Sequence, residues 1–180
     1  MLNPPMSPLL RLPAELRNLI YSYVFAHQTI EPVPELWRQR NDTTIRVHNV
    51  LTLLRVNRQL HAETRLLPYQ NTTFVFTSTY ALDAFVARRS QEQLDFIQSV
   101  QINLMLQDEK FWEPEQFRSL SRMPALKHID VVDVQEQCAN KEWRAKRLRR
   151  MAECIREWRP EVRIVARDFE GRWTMDSNDD

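Results

Sequence analysis

Between residues 12 and 24 apolar side chains recur at helical spacing. Leu12, Leu16, Leu19, Ile20, Tyr23 and Val24 fall along one side of a helix. Pro13 suits the first turn, where a missing N–H costs nothing, and Glu15 complements the positive end of the helix dipole. Ala14, Tyr21 and Phe25 form a second, weaker stripe, so the pattern predicts a helix that touches two different things. Over 27–49 the periodicity dissolves among Pro32, Pro34, Asn41 and Asp42, with Trp37 as the large anchor, which predicts a connector. Helical spacing returns in "VLTLLRVNRQLHAETRLLPY". Val50, Leu53, Leu54, Leu60 and Leu67 are its core candidates, Asn57 its cap or kink between two helices, and Pro68 its stop.

After Asn71 the pattern alternates. "TTFVFT", "VQINLML", "KHIDVVDV" and "EVRIVA" read as strands. "YALDAFVARRSQEQLDF" reads as one helix using Leu82, Phe85, Val86 and Leu94, and a short helix is expected over 113–121. A long helix over about 139–158 buries Leu148, Met151, Ile155 and Trp158. Strands alternating with helices predict parallel pairing through right-handed crossovers. Ile97-x-x-Val100-x-Ile102 and Leu126-x-x-Ile129-x-Val131 repeat an L-x-x-L-x-L pattern 29 residues apart, at the long end of the leucine-rich-repeat period. Where such a repeat places Asn or Cys, this chain has Met105 and Val134. The expectation is a small curved sheet with helices on one side, built irregularly; a compact α/β sandwich is the competing picture.

Composition narrows the functions. The 180 residues suit one domain with a small appended module. Lys and Arg number 25 against 24 Asp and Glu, which leaves no bulk pull toward nucleic acid or an anionic membrane. Gly171 is the single glycine, and phosphate-cradling loops need several, so Walker-type, Rossmann-type and kinase-type loops are excluded. Cys138 and Cys154, placed in one helix, would stand about 24 Å apart, beyond disulfide reach. Two unpaired thiols, no membrane-length apolar run and no signal-peptide pattern predict an intracellular protein, cytoplasmic or nuclear. Residues 1–8, with Pro4, Pro5 and Pro8, read as a flexible tail, and 171–180 as an acidic one.

Two ordered motifs carry a resemblance. The first is Leu12, Pro13, Glu15, Leu16, Arg17, Ile20, Tyr21 and Val24. The second is Leu53, Leu54, Arg55, Val56, Arg58, Gln59 and Glu63, followed by Asn71, Thr73, Phe74 and Phe76. Together they resemble the large fungal family of F-box-like proteins of poorly defined function, over about the first 76 residues. The L-P-x-E-L and L-L-R-x-V segments are similar to the helical hairpin of an F-box. That hairpin docks on the linker subunit of a cullin-type ubiquitin ligase, while a C-terminal repeat domain holds the substrate. The resemblance implies partner contacts by Leu12, Pro13, Leu16, Ile20 and Val24, supported by Leu54 and Val56. The chain departs from the F-box pattern in its longer 27–49 connector and in having Leu60-His61 where a tryptophan often ends the second motif.

Other chemistry is thinner. "KEWRAKRLRR" offers Lys141, Arg144, Lys146, Arg147 and Arg150 as an anion or nucleic-acid patch, against a solvated helix face braced by Glu142–Lys146 and Arg149–Glu153 pairs. His27, His48, His61 and His128 match no metal-ligand spacing, and neither a G-x-S-x-G elbow nor a cysteine-nucleophile motif is present. Asp130 and Asp133 fall on opposite faces of a strand, which argues against joint acid–base work. Phe111, Trp112 and Phe117 read as core.

The fold class expected is therefore α/β (α+β): an F-box-like helical region over 9–70, then an irregular leucine-rich-repeat-like domain over 71–170 with a small, mostly parallel sheet. The function expected is a non-enzymatic protein–protein interaction module without cofactor or metal. Its implied partner is the ubiquitin-ligase linker subunit, and nucleic-acid binding through 141–150 is the alternative.

Overall fold

The computed structural model describes residues 7–26, 28–32, 57–104, 113–134 and 141–168. The fold mixes helix and strand around a small parallel sheet. A 3₁₀ turn, Pro8–Arg11, leads into helix α1, Ala14–Phe25, with Pro13 at its N-cap. Strand β1, Gln28–Ile30, follows. Asn57 then caps α2, Arg58–Thr64, its side chain accepting from the Gln59 N–H at 2.7 Å. A short helix α3, Leu67–Asn71, runs directly into β2, Thr72–Phe76. Beyond lie α4 (Thr79–Ala87), α5 (Gln91–Leu94) and β3 (Ser99–Leu104). A 3₁₀ helix, Pro114–Arg122, precedes β4, His128–Asp133. Helix α6, Lys141–Trp158, and β5, Arg163–Asp168, end the described chain.

Among the described residues the four strand pairings are parallel, and the spatial order β1-β2-β3-β4-β5 follows the chain. Parallel neighbours require a crossover, and each one after β2 is spanned by a helical piece. Register aligns Ile30, Phe74, Val100, Ile129 and Ile164 across the sheet, and in the next inward row Phe76, Ile102, Val131 and Ala166. Both rows are buried, in one core with Leu82, Phe85, Leu94, Phe117, Leu120, Leu148, Met151 and Ile155. Phe85 packs on two aromatic rings of the sheet, 5.1 Å from Phe74 and 5.3 Å from Phe76 between ring centroids. The opposite sheet face is half-buried and largely polar. Thr73 donates to Ser99, Gln101 to Asn103, and Arg167 to Asp130. Parallel sheets are normally covered on both faces, whereas here the helices of this core pack on one.

Local chemistry moves several expected boundaries. The 27–49 connector contributes β1, because Thr29 and Ile30 favour a pleated strand and pair with Thr73 and Phe74. The region expected to be helical over 9–70 thus supplies a strand, the outermost on its side among the described residues, and Ile30 belongs to the sheet core. Pro68 lies inside the first turn of α3, where its missing N–H is harmless, so it helps start a helix instead of stopping one. The single helix expected over 80–96 is two. Ser90 accepts from the Gln93 N–H while the Gln93 side chain accepts from Ser90 N–H, a capping box that restarts the chain as α5.

Candidate protein-docking face

Helix α1 divides its circumference into three arcs. Arg17, Tyr21 and Phe25 point inward, and Tyr21 and Phe25 are fully buried with Leu60 of α2, flanked by Leu9, Leu10 and Leu67. Glu15, Asn18 and Ser22 form a polar outer arc. The remaining arc is apolar and open: Leu16 is 48% exposed, Leu19 52%, Ile20 38%, Tyr23 75% and Val24 39%. Five large apolar residues at helical spacing are thus left wet on one rigid helix, while scattered single ones would be unremarkable.

A polar clasp sets which side faces in. Arg17 Nε donates to Glu63 Oε2 at 3.0 Å and Nη2 to Oε1 at 2.7 Å, while Nη1 donates to the Leu12 carbonyl at 2.6 Å. The Tyr21 hydroxyl donates to Glu63 Oε2 at 2.9 Å, and Gln59 Nε2 to Oε1 at 3.0 Å. Hydrogen bonds from Arg17, and then from Gln59, hold the Glu63 carboxyl down at about 2. Burial, and then the bond to Glu63, pushes the Tyr21 phenol up. A bidentate guanidinium–carboxylate pair fixes the rotation of α1 about its own axis more tightly than apolar contacts do, because it is directional. With that rotation fixed, the wider apolar arc points outward.

The structure places the expected partner-contact residues as follows. Leu16, Ile20 and Val24 lie together on the open arc; Pro13 is exposed at the N-cap and Leu12 is half-buried beside it. Leu54 and Val56 lie outside the described residues, as do Phe111 and Trp112. Leu19 and Tyr23, which the motif-based assignment omits, are the two most exposed members of the arc. Their helical spacing was the signal that could have found them.

Of the expected basic patch, Arg147 does not face outward. Arg147 is fully buried, its Nη1 3.9 Å from Asp133 and its guanidinium 4.5 Å from the Trp143 ring. Lys146, Arg149 and Arg150 face solvent beside Glu142 and Glu153, with Arg150 paired to Glu153 at 3.4 Å. The side chains of Lys141 and Arg144 lie outside the described residues. Asp133 is buried while Asp130 pairs with Arg167 on the other face, so the two carboxylates are separated by the sheet. Burial pushes the Cys154 thiol up, which suits a packed interior residue and opposes nucleophilic use; Cys138 lies outside the described residues. Among the described residues, no group of three or more His, Cys, Asp or Glu is placed to hold a metal ion. No helix among them is long and apolar enough to cross a membrane.

With this geometry in place, comparison with known proteins finds no family model, no curated protein and no solved structure that matches the chain. The functional reading therefore rests on the arcs of α1 and the surfaces around them.

Proposed function

We propose that this chain is a non-enzymatic, intracellular protein–protein interaction module that works as an adaptor. The open arc of α1 docks one protein, and the α/β region presents a second surface. One observation carries the reading: α1 buries its narrower apolar arc and leaves Leu16, Leu19, Ile20, Tyr23 and Val24 exposed on a helix clamped in place. Apolar anchors on a pre-ordered element bind with little ordering cost, and Tyr is a favoured anchor.

The first partner is the linker subunit of a cullin-type ubiquitin ligase, as the F-box-like motifs imply. Arg17 of the first motif and Glu63 of the second meet directly, which gives their joint occurrence a physical reason. The chain-order parallel sheet, with its core helices on one side and a hydrogen-bonded polar face on the other, supports the leucine-rich-repeat-like reading of the C-terminal region. That face is the proposed seat of the second protein. Burial of Arg147 leaves the nucleic-acid alternative with a mixed-charge helix face and without a specific observation in its favour.

Co-purification tests the proposal. The wild-type chain is expected to retain the linker subunit, and the folded Leu16→Asp/Ile20→Asp variant to lose it. A folded wild type that retains none at micromolar concentration refutes ligase docking.

A further inference from the structure

We propose that the open arc of α1 pairs with the same arc of a second copy, as an antiparallel helix pair about a two-fold axis. The inference rests on the same reading of α1 as an interface and names a competing occupant for it.

The arc is self-complementary. Leu16, Leu19 and Tyr23 follow the three- then four-residue spacing of a helix–helix seam, and Ile20 and Val24 widen it on one side. In an antiparallel pair Leu19 and Ile20 meet their counterparts near the axis, while Leu16 of each copy packs against Tyr23 and Val24 of the other. A parallel pair would bring both positive helix ends and both exposed Glu15 carboxylates together, so the antiparallel arrangement wins. Nothing charged lies on the arc, and a formal net charge of +1 leaves almost no repulsion between copies.

Area bounds the contact. Five partly exposed residues on one helix give a pair at most about 1,000 Å², at the small end of specific interfaces. Small interfaces are typical of transient pairs, so a larger partner surface can displace the second copy. Self-pairing would then keep the docking helix covered until a partner arrives.

Sedimentation equilibrium across low to high micromolar concentration reads the mass directly. The expected result is a rise from 21.6 kDa toward twice that value. Leu19→Asp and Tyr23→Asp should each shift the midpoint at least tenfold toward higher concentration, with the circular dichroism spectrum unchanged, and Ser22→Asp on the polar arc should leave it alone. As a second readout, Ile20→Cys should give a disulfide-linked dimer under mild oxidation, in a Cys138→Ser background, and Ser22→Cys should not. A wild type monomeric at every concentration overturns the inference, as does a dimer that Leu19→Asp and Tyr23→Asp leave intact. A monomer that still binds the linker subunit sinks self-pairing alone; a dimer that ignores the linker subunit sinks ligase docking alone.

Discussion

Arg17 and Glu63, 46 positions apart, close a two-pronged ion pair that fixes the rotation of α1 against α2. Both side chains are mostly shielded, at 12% and 23% exposure, so the pair is more than a surface contact. Which side of α1 faces solvent depends on that rotation.

The clasp has a pH signature. Glu63 is depressed from 4.5 to about 2, chiefly by its hydrogen bond from Arg17. A carboxyl depressed on folding contributes stability that is present above its unfolded value and is lost as pH falls through the folded one. Tyr21 shifts the other way, raised by burial first, so its contribution holds below its unfolded value of 10.0 and fades as pH rises beyond it. The stability difference between wild type and Glu63→Gln should shrink as pH falls from about 4.5 toward 2. Urea denaturation followed by fluorescence checks this; a difference that stays constant through that window contradicts it.

The buried and the open apolar arcs of α1 should respond unequally to substitution. Phe25→Ala empties a fully buried site and should cost about 3–5 kcal/mol. Leu19→Asp and Tyr23→Asp alter exposed positions and should change stability by no more than about 0.5 kcal/mol. Tyr21→Phe keeps the ring but deletes a hydrogen bond to a carboxylate, for a loss of about 1–2 kcal/mol. Chemical denaturation of the four variants measures the contrast. Equal losses on both arcs would mean that the open arc is covered within the folded chain.

These predictions show where the sequence was legible. Both stripes of α1 are visible in the spacing of Leu16, Leu19, Ile20, Tyr21, Tyr23, Val24 and Phe25. Their ranking was not, because apolar content alone favours the wider stripe as core. What reverses it is Glu63, whose pairing with Arg17 and Tyr21 is a tertiary fact. The strands centred on Phe74, Ile102, Val131 and Ile164 were readable because β-branched and aromatic residues cluster between breakers. Three-residue β1 was not, since Gln28–Ile30 is too short to show alternation and, among the described residues, pairs with β2 alone.

Arg147 makes the same point from the other direction. In sequence it is one of a run of cations; in the fold it lies fully buried beside Asp133 and over Trp143. Arg147→Glu places a second carboxylate next to Asp133 in the interior and should cost at least about 3–5 kcal/mol. Arg149→Glu should leave the thermal midpoint within a few degrees of wild type. A circular dichroism melt distinguishes them, and a stable Arg147→Glu protein would return that residue to an outward role.

Arg159 is a second buried cation with a structural task. Its Nη1 donates to the Met123 carbonyl, and its Nη2 to those of Pro124 and Leu126 at 3.4 and 3.3 Å, tying the turn before β4 to the end of α6. Arg159→Ala removes the bonds to the Pro124 and Leu126 carbonyls and leaves Met123 only its bond from the Leu126 N–H, and should cost about 1–3 kcal/mol. Arg159→Lys should recover little, because a single ammonium cannot span the three carbonyls as the planar fork does. Full recovery by Lys in a denaturation series would mean that charge, and not geometry, matters there.

The central claim is that α1 holds its open arc ready for the linker subunit of a cullin-type ubiquitin ligase, and titration calorimetry against that subunit tests it most directly. The account predicts saturable binding with a micromolar or tighter dissociation constant, a negative heat-capacity change from apolar burial, and at least a tenfold loss in the folded Leu19→Asp variant. Absence of binding by the folded wild type, or equal affinity in wild type and variant, would contradict it.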